Sequence, residues 1–380
     1  MDFNLSKEQQ ELKSKTYAFA KSLSKDLLKR DKESVFDSDA WKEIAKNGLL
    51  KGFVPKNLDG FDWDATTRVA ALEAFGEGCS DNGLCLALSS LVWTIFPPIL
   101  SVGTDEQKNK YIPKLLAGDF FAADGITEES AGSDAIAMKA SASLTKDGYR
   151  LNGKKSYIGF APIADLVILF AKTDPNMGAW GVSTFLVETD IDGITLSHNN
   201  EKMGLRTLPM GSIKFDNCLV PESARLGEEG VGMSLFNESM EWERSFILAT
   251  QVGTMARQLK QCVAYAKSRK QFGSAIGANQ SISNRIADMR TRLETCRLLL
   301  YKTAWLKDQG KTAALEASMT KLTISEAFVS SSLDAVRIHG ARGYLSEFEI
   351  ERDLRDATGG LIYAGTSDIQ RNLIARLAGL

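Results

Sequence analysis

Apolar residues recur at intervals of three and four through the first third of the chain, at every second position from about residue 149 to 219, and at intervals of three and four again beyond Gly232. The order is therefore helical, strand-rich, helical. In the first region Ser6 followed by Gln9 has the form of a capping box and opens one helix. Asp39 with Trp41 and Ile44 marks a second and Thr66 to Phe75 a third, with breaks expected at Gly48, Pro55, Gly60 and Gly76. Leu84 to Leu100 is the one long apolar run. It is short for a membrane span and is interrupted by Ser89, Ser90, Pro97 and Pro98, so it reads as a buried helix that stops at the proline pair. Thr104-Asp-Glu-Gln107 starts another helix, carrying Tyr111, Leu115 and Leu116.

The alternating region predicts strands at Tyr149 to Phe160, Leu166 to Lys172, Val182 to Glu188, Ile194 to Ser197 and Ser212 to Leu219. Turn signals at Asn152-Gly153, Asp174-Pro175, Asp192-Gly193 and Asp216-Asn217 make these an antiparallel sheet or small barrel. Gly148 to Lys154 has the spacing of a phosphate-binding loop, but Lys155 stands where Ser or Thr is required and the segment runs strand to strand, so the match is fortuitous. After Gly232 helices are expected at about Met233 to Lys270, Ser281 to Asp308 and Thr312 to Ile338, with a short one from Ser367; their short connections imply an antiparallel bundle. The domains expected are residues 1–119, 120–232 and 233–380. At the first seam, Gly125-Ile-Thr-Glu-Glu-Ser-Ala-Gly-Ser-Asp134 mixes hydroxyls, carboxylates and glycines without an apolar period. It reads either as a ligand loop whose N–H and hydroxyl groups face a polar group, or as a solvated linker.

Composition narrows the class. The chain has 380 residues, 44% hydrophobic and 25% charged, which suits a soluble globular protein of two or three packed units. A formal net charge of −2 with dispersed Lys and Arg argues against nucleic-acid binding. Met1 to Glu11 is polar and charged, so a cytoplasmic protein without a secretory leader is expected, and no membrane partner. Five cysteines (Cys79, Cys85, Cys218, Cys262, Cys296) without paired spacing suggest reduced thiols and no metal site. With His198 and His339 as the only histidines, a Ser-His-Asp hydrolase is also unexpected.

The helix, sheet, helix order, with Thr127-Glu-Glu-Ser-Ala-Gly-Ser-Asp134, Asn152-Gly-Lys-Lys-Ser-Tyr-Ile158, Arg269-Lys-Gln-Phe-Gly273 and Tyr363-Ala-Gly-Thr-Ser-Asp-Ile-Gln-Arg371, closely resembles the acyl-CoA dehydrogenase family of flavoproteins over nearly the whole chain. The resemblance implies an α+β fold of N-terminal helical domain, middle antiparallel β-barrel and C-terminal four-helix bundle, with non-covalent FAD and a homotetramer. It implies flavin contacts from Ile126, Thr127, Ser133 and Tyr157, where the family usually has Trp, and from Thr366 and Asp368. Gly159 and Phe160 replace a common Thr-Asn, which leaves one hydroxyl contact in doubt. It further implies that Arg269, with Gln271 and Phe272, reaches the FAD of a neighbouring subunit, a bidentate guanidinium suiting a pyrophosphate. Gln280 matches a residue near the adenosine, and Arg337 and Gly340 lie in a segment that flanks the pyrophosphate.

One departure decides the chemistry. Many family members carry their catalytic Glu directly after the Tyr of the tail motif, where this chain has Ala364. The isovaleryl-CoA type carries it in a Glu-Arg pair on the first long helix of the last domain, and Glu243-Arg244 occupies that place. Phe236, Met240, Phe246 and Ile247 surround Glu243 at helical spacing, so its carboxylate emerges from an apolar stripe with a raised pKa, as suits a general base. Glu238 and Glu241 read as more solvated alternatives. The resemblance then implies that Glu243 takes the α-proton of a thioester, that the β-carbon gives hydride to the flavin, and that the Ala364 N–H holds the thioester carbonyl, with Arg244, Tyr363 and Gly365 lining the substrate. The chain looks most like the branch acting on L-prolyl groups carried by a peptidyl or acyl carrier protein on a phosphopantetheine arm. A short branched-chain acyl-CoA dehydrogenase and a redox-silent FAD-binding interaction protein are the alternatives.

Overall fold

Residues 4–380 are described by the computed structural model; Met1–Phe3, the start of the polar opening segment, lie outside the described residues. The helices α1 (Lys7–Lys21), α2 (Leu27–Glu33), α3 (Ser38–Asn47), α4 (Ala65–Gly78), α5 (Asn82–Ser90), α6 (Phe96–Val102) and α7 (Asp105–Leu116) precede the sheet. The expected capping box of Ser6 with Gln9 forms, and the helix expected to start at Thr104 opens with a second, Thr104 with Gln107. The proline pair does not end its helix. A π-helical turn, Leu91–Ile95, follows α5 without a break and leads into α6, whose first turn holds Pro97 and Pro98. Asn82–Val102 is apolar and long enough to cross a bilayer, but most of it is buried inside the fold.

The strands are β1 (Ala122–Gly125), β2 (Ser141–Thr145), β3 (Gly148–Gly159), β4 (Leu166–Lys172), β5 (Val182–Glu188), β6 (Ile194–Leu196), β7 (Met210–Val220) and β8 (Arg225–Leu226). They run in the order β6-β7-β3-β2-β4-β5-β8, with β1 added to β4. The longer pairings, β3 with β7 and β4 with β5, are antiparallel as expected, while β1 runs parallel to β4, so the sheet is mixed. Tyr149 of β3 meets Phe185 of β5 at 5.0 Å although two strands separate them in the sheet. The sheet is therefore coiled around its own core of Leu151, Val167, Leu169, Phe185, Ile213 and Phe215. Gly148 and Lys155, from the apparent phosphate loop, lie within β3.

The last region holds α8 (Gly232–Phe246), α9 (Ala249–Ser268), the hairpin β9 (Lys270–Gln271) and β10 (Ser274–Ala275), α10 (Gln280–Asp308), α11 (Ala314–His339), α12 (Ala341–Tyr344), α13 (Ile350–Gly359) and α14 (Ser367–Leu377). The first expected long helix is kinked at Ile247–Leu248, with neither Pro nor Gly to mark the place. Gly76 does not break a helix either. It lies inside α4 where that helix crosses α9: a Cβ on Gly76 would sit 1.8 Å from the Thr250 carbonyl oxygen, and one on Gly253 2.0 Å from that of Glu73. A buried polar network joins the regions. Asn82 donates to Asp353 at 2.8 Å and to Asp356 at 3.0 Å, Arg257 pairs with Asp353 at 3.1 Å, and Asp356 accepts from the Leu205 N–H at 2.5 Å.

Candidate active site

Aromatic packing sets the position of α8. Trp93, on the π-helical turn, meets Phe246 at 4.8 Å and stacks on Trp242 at 6.1 Å. That contact brings Thr94 to Glu243, whose apolar neighbours Met240, Phe246 and Ile247 are buried. Glu243 is only 9% exposed, and among the described residues its carboxylate forms no ion pair or well-formed hydrogen bond. The Thr94 hydroxyl is close enough to favour the carboxylate, yet it too lacks a hydrogen-bond partner. Burial and then the charge of Asp124 push the Glu243 pKa up to about 8, against the pull of Arg244, Thr94 and Lys321. A base must be deprotonated to act, so substrate bleaching of the flavin should rise about tenfold per pH unit below about 8 and level off above it. A pH profile of kcat/KM from 6 to 9.5 checks this; a flat one contradicts it. Because the folded carboxyl titrates above its unfolded value, its contribution to stability is fully present below the ordinary carboxylate range and is lost as pH rises through about 8. The Glu241 carboxylate, read from sequence as solvated, is instead held by Lys307 and by the Ala313 N–H.

The tail forms a turn beside this carboxylate. Ala364 has φ +57°, rare for a residue with a side chain, and its N–H donates to no described group. The turn is held by Gln370, which donates to the Ala364 and Gly365 carbonyls at 3.2 and 3.0 Å, and by buried Lys321, which donates to the Gly360 carbonyl at 2.7 Å. The Tyr363 hydroxyl accepts from Gln251 at 2.5 Å. A Cβ on Gly365 would lie 3.9 Å from Arg244 Nε, a buried donor without a partner. Glu243, Arg244, Tyr363, Ala364 and Gly365 are thus gathered as the sequence implied. Thr94, Asp124, Gln251 and Lys321 were not anticipated. A lone charge inside Ala122-Ala-Asp-Gly125, and a Lys within the apolar face of α11, are the signals that could have found two of them.

In the Gly125–Asp134 loop, Ile126 is buried and Ser133 exposed. Among the described residues the Thr127 N–H and hydroxyl have no partner, while its carbonyl accepts from the Ser156 N–H at 2.9 Å. Glu128 faces inward, not toward a ligand. It pairs with buried Lys155 at 2.9 Å and accepts the Lys139 and Ala140 N–H groups at 2.8 and 2.9 Å. A β-bulge between Lys155 and Ile158 gives Tyr157 φ +62° and turns its ring outward, 59% exposed, next to an unpaired Ser156 hydroxyl. Phe160 turns inward instead and packs with Phe36, Trp41 and Phe121. An exposed aromatic face beside unpaired donors fits a flat, acceptor-rich ring system such as a flavin.

The other implied cofactor residues lie elsewhere. Arg269 ends α9, a helix of 20 residues that spans roughly 30 Å. Its guanidinium is exposed and forms no ion pair among the described residues, and Phe272, at the tip of the β9–β10 hairpin, is fully exposed. Gln271 and Gln280 are exposed nearby. Arg337 pairs with Asp334 at 3.6 Å. Gly340 has φ +60° and ψ −132° with open space around a notional Cβ, so glycine serves backbone conformation there. Thr366 caps α14 by accepting from the Ile369 N–H at 3.2 Å, and exposed Asp368 pairs with Arg371 at 3.1 Å. A separate cleft of about 1060 Å³, lined by Tyr111, Glu188, Val220 and Arg225, contains none of these residues.

The chain is similar to known proteins along nearly its whole length. Residues 6–119, 123–218 and 230–379 match the N-terminal, middle and C-terminal domains of acyl-CoA dehydrogenase. The chain is 44% identical over 342 residues to an L-prolyl-[peptidyl-carrier protein] dehydrogenase of Pseudomonas fluorescens, covering 90% of each. It superimposes on the prolyl acyl carrier protein oxidase AnaB with a TM-score of 0.97 at 46% identity, covering 99% of this chain and all of that one. It superimposes on PigA with FAD and proline with a TM-score of 0.97 at 40% identity, covering both chains fully.

Proposed function

This chain belongs to the acyl-CoA dehydrogenase family, and from that premise we propose that it is an FAD-dependent enzyme oxidising an L-prolyl thioester on a peptidyl or acyl carrier protein. The product is a dehydroprolyl or pyrroline-carboxyl thioester. The observation that carries the reading is a buried, unpaired Glu243 beside the free N–H of Ala364. The similarity to prolyl carrier protein enzymes supports the substrate class. Thr127, Ile126, Ser133 and Tyr157 would hold the flavin. Arg269, Gln271 and Phe272 would reach the FAD of a neighbour in a homotetramer, in keeping with their distance from Glu243 and their exposure. Gln280, Arg337, Gly340, Thr366 and Asp368 complete the cofactor set.

When bound, FAD supplies the two-electron acceptor for hydride leaving the β-carbon. Glu243 takes the α-proton, the two C–H bonds break and a C=C bond forms. Negative charge grows on the thioester oxygen as the proton leaves, and the Ala364 N–H, which donates to no described group, would donate to it. The strained φ of Ala364 fixes that donor without needing a carboxylate at its side chain. Lys321 and Gln370 hold the turn that presents it. Purified yellow protein mixed anaerobically with prolyl-loaded carrier protein should lose its flavin absorbance, while isovaleryl-CoA should leave it unchanged. Bleaching by isovaleryl-CoA alone would instead identify a branched-chain acyl-CoA dehydrogenase, and bleaching by neither a redox-silent binder.

A further inference from the structure

Alternation along β1 puts Ala122, Asp124 and Ile126 on one face and Ala123 on the other. Ala122 and Ile126 pack into the core shared with the helices, whereas Ala123 packs inside the coiled sheet. Asp124 therefore faces the helical side, where β1 packs against the π-helical turn that carries Thr94. Protein surrounds Asp124 deeply, yet its side chain keeps some accessible surface. Its carboxylate accepts no hydrogen bond and forms no ion pair among the described residues. Lys155, whose charge acts on Asp124, is committed to Glu128 and to the Ile126 carbonyl at 3.0 Å. Glu243 feels the charge of Asp124 across the site and is itself nine-tenths buried and unpartnered. Two carboxylates without partners among the described residues thus act on each other, an arrangement that costs free energy when both are charged and that a cation between them would relieve.

The proposed substrate has such a cation, and its position is fixed by bonding. In a prolyl thioester the ring nitrogen is attached to the same carbon that loses the proton, so a counter-ion for the nitrogen has to stand beside the base. Resting on the prolyl reading above, we propose that Asp124 holds the secondary ammonium of the substrate and so selects a prolyl ring over a hydrocarbon acyl group. Glu243 then serves the carbon and Asp124 the nitrogen. An alkyl acyl group would leave Asp124 unpaired and is disfavoured for that reason.

Binding without turnover tests the assignment. In FAD-loaded Glu243→Gln protein, calorimetry compares prolyl-pantetheine amide with its cyclopentanecarbonyl counterpart, which has the same ring without the amine. The prolyl compound should bind more tightly. Adding Asp124→Asn should weaken the prolyl compound by roughly 30- to 4,000-fold, the loss typical of breaking a buried charge pair, and leave the cyclopentanecarbonyl compound unchanged or tighter. Asp124→Ser gives the same comparison if the Asn variant does not fold. An equal loss for both compounds, or no loss for either, overturns the assignment while leaving the prolyl reading intact. Wild-type protein that fails to oxidise prolyl-loaded carrier protein overturns the parent reading and this one with it.

Discussion

Glu243→Gln protein, purified with FAD, should no longer bleach with prolyl-loaded carrier protein, its rate falling by about 10⁴, the upper range for loss of a general base. Gln keeps the shape of the side chain and cannot take a proton. FAD content should not change, because none of the implied flavin contacts involves this side chain. The variant should also melt no lower than the parent above pH 8, since it removes a buried charge that burial disfavours. Glu241→Gln is the control. It disturbs the link to Lys307 and Ala313, so it should lower stability and leave the chemical step nearly intact. A Glu243→Gln rate within tenfold of the parent would remove Glu243 as the base and return the search to other carboxylates.

Glu128→Gln should destabilise the protein by about 3–5 kcal/mol, the usual consequence of leaving a buried charge without its partner. Lys155 is fully buried, and apart from the pair with Glu128 its ammonium has, among the described residues, the Ile126 carbonyl at 3.0 Å and the Met138 sulfur at 3.8 Å. Burial would raise the Glu128 pKa, but Lys155 and the Lys139 and Ala140 N–H groups outweigh it and hold the carboxyl below its usual range. The clamp is therefore present above the ordinary carboxylate pKa and is released on acidification. Denaturant unfolding at neutral pH measures the cost, and fluorescence of released FAD reports whether the Gly125–Asp134 loop loosens with it. The double variant Glu128→Gln with Lys155→Met should lose less than the sum of the single changes. A single-variant cost below about 1 kcal/mol would show that the pair does not support the loop.

The fold was legible where the sequence carries its own punctuation. Ser6 with Gln9 and Thr104 with Gln107 announce helix starts through reciprocal bonds that need no tertiary partner, and both form. β4 and β5 stand where β-branched and aromatic alternation put them. β1 and β2 were missed because Ala-Ala-Asp-Gly and Ser-Ala-Ser-Leu-Thr have weak strand propensity and depend on β4 and β3 for their bonds. Pro97-Pro98 and Gly76 misled for the same reason. A proline is harmless in an opening turn, and a glycine inside a helix can serve the helix crossing it. At the candidate site, the burial of Glu243 was legible because its neighbours at helical spacing are apolar. Asp124 was less so, since its lone charge in Ala-Ala-Asp-Gly marks the position but does not say that β1 turns it toward a helix more than a hundred residues away.

The crossing of α4 and α9 bears on how a substrate gets in. Glycines let two main chains touch there, and such a joint behaves as a welded strut with no side-chain cushion to slide on. The first and last units cannot swing apart about it like jaws. Whatever reaches Glu243 must therefore do so without these two helices parting at their crossing.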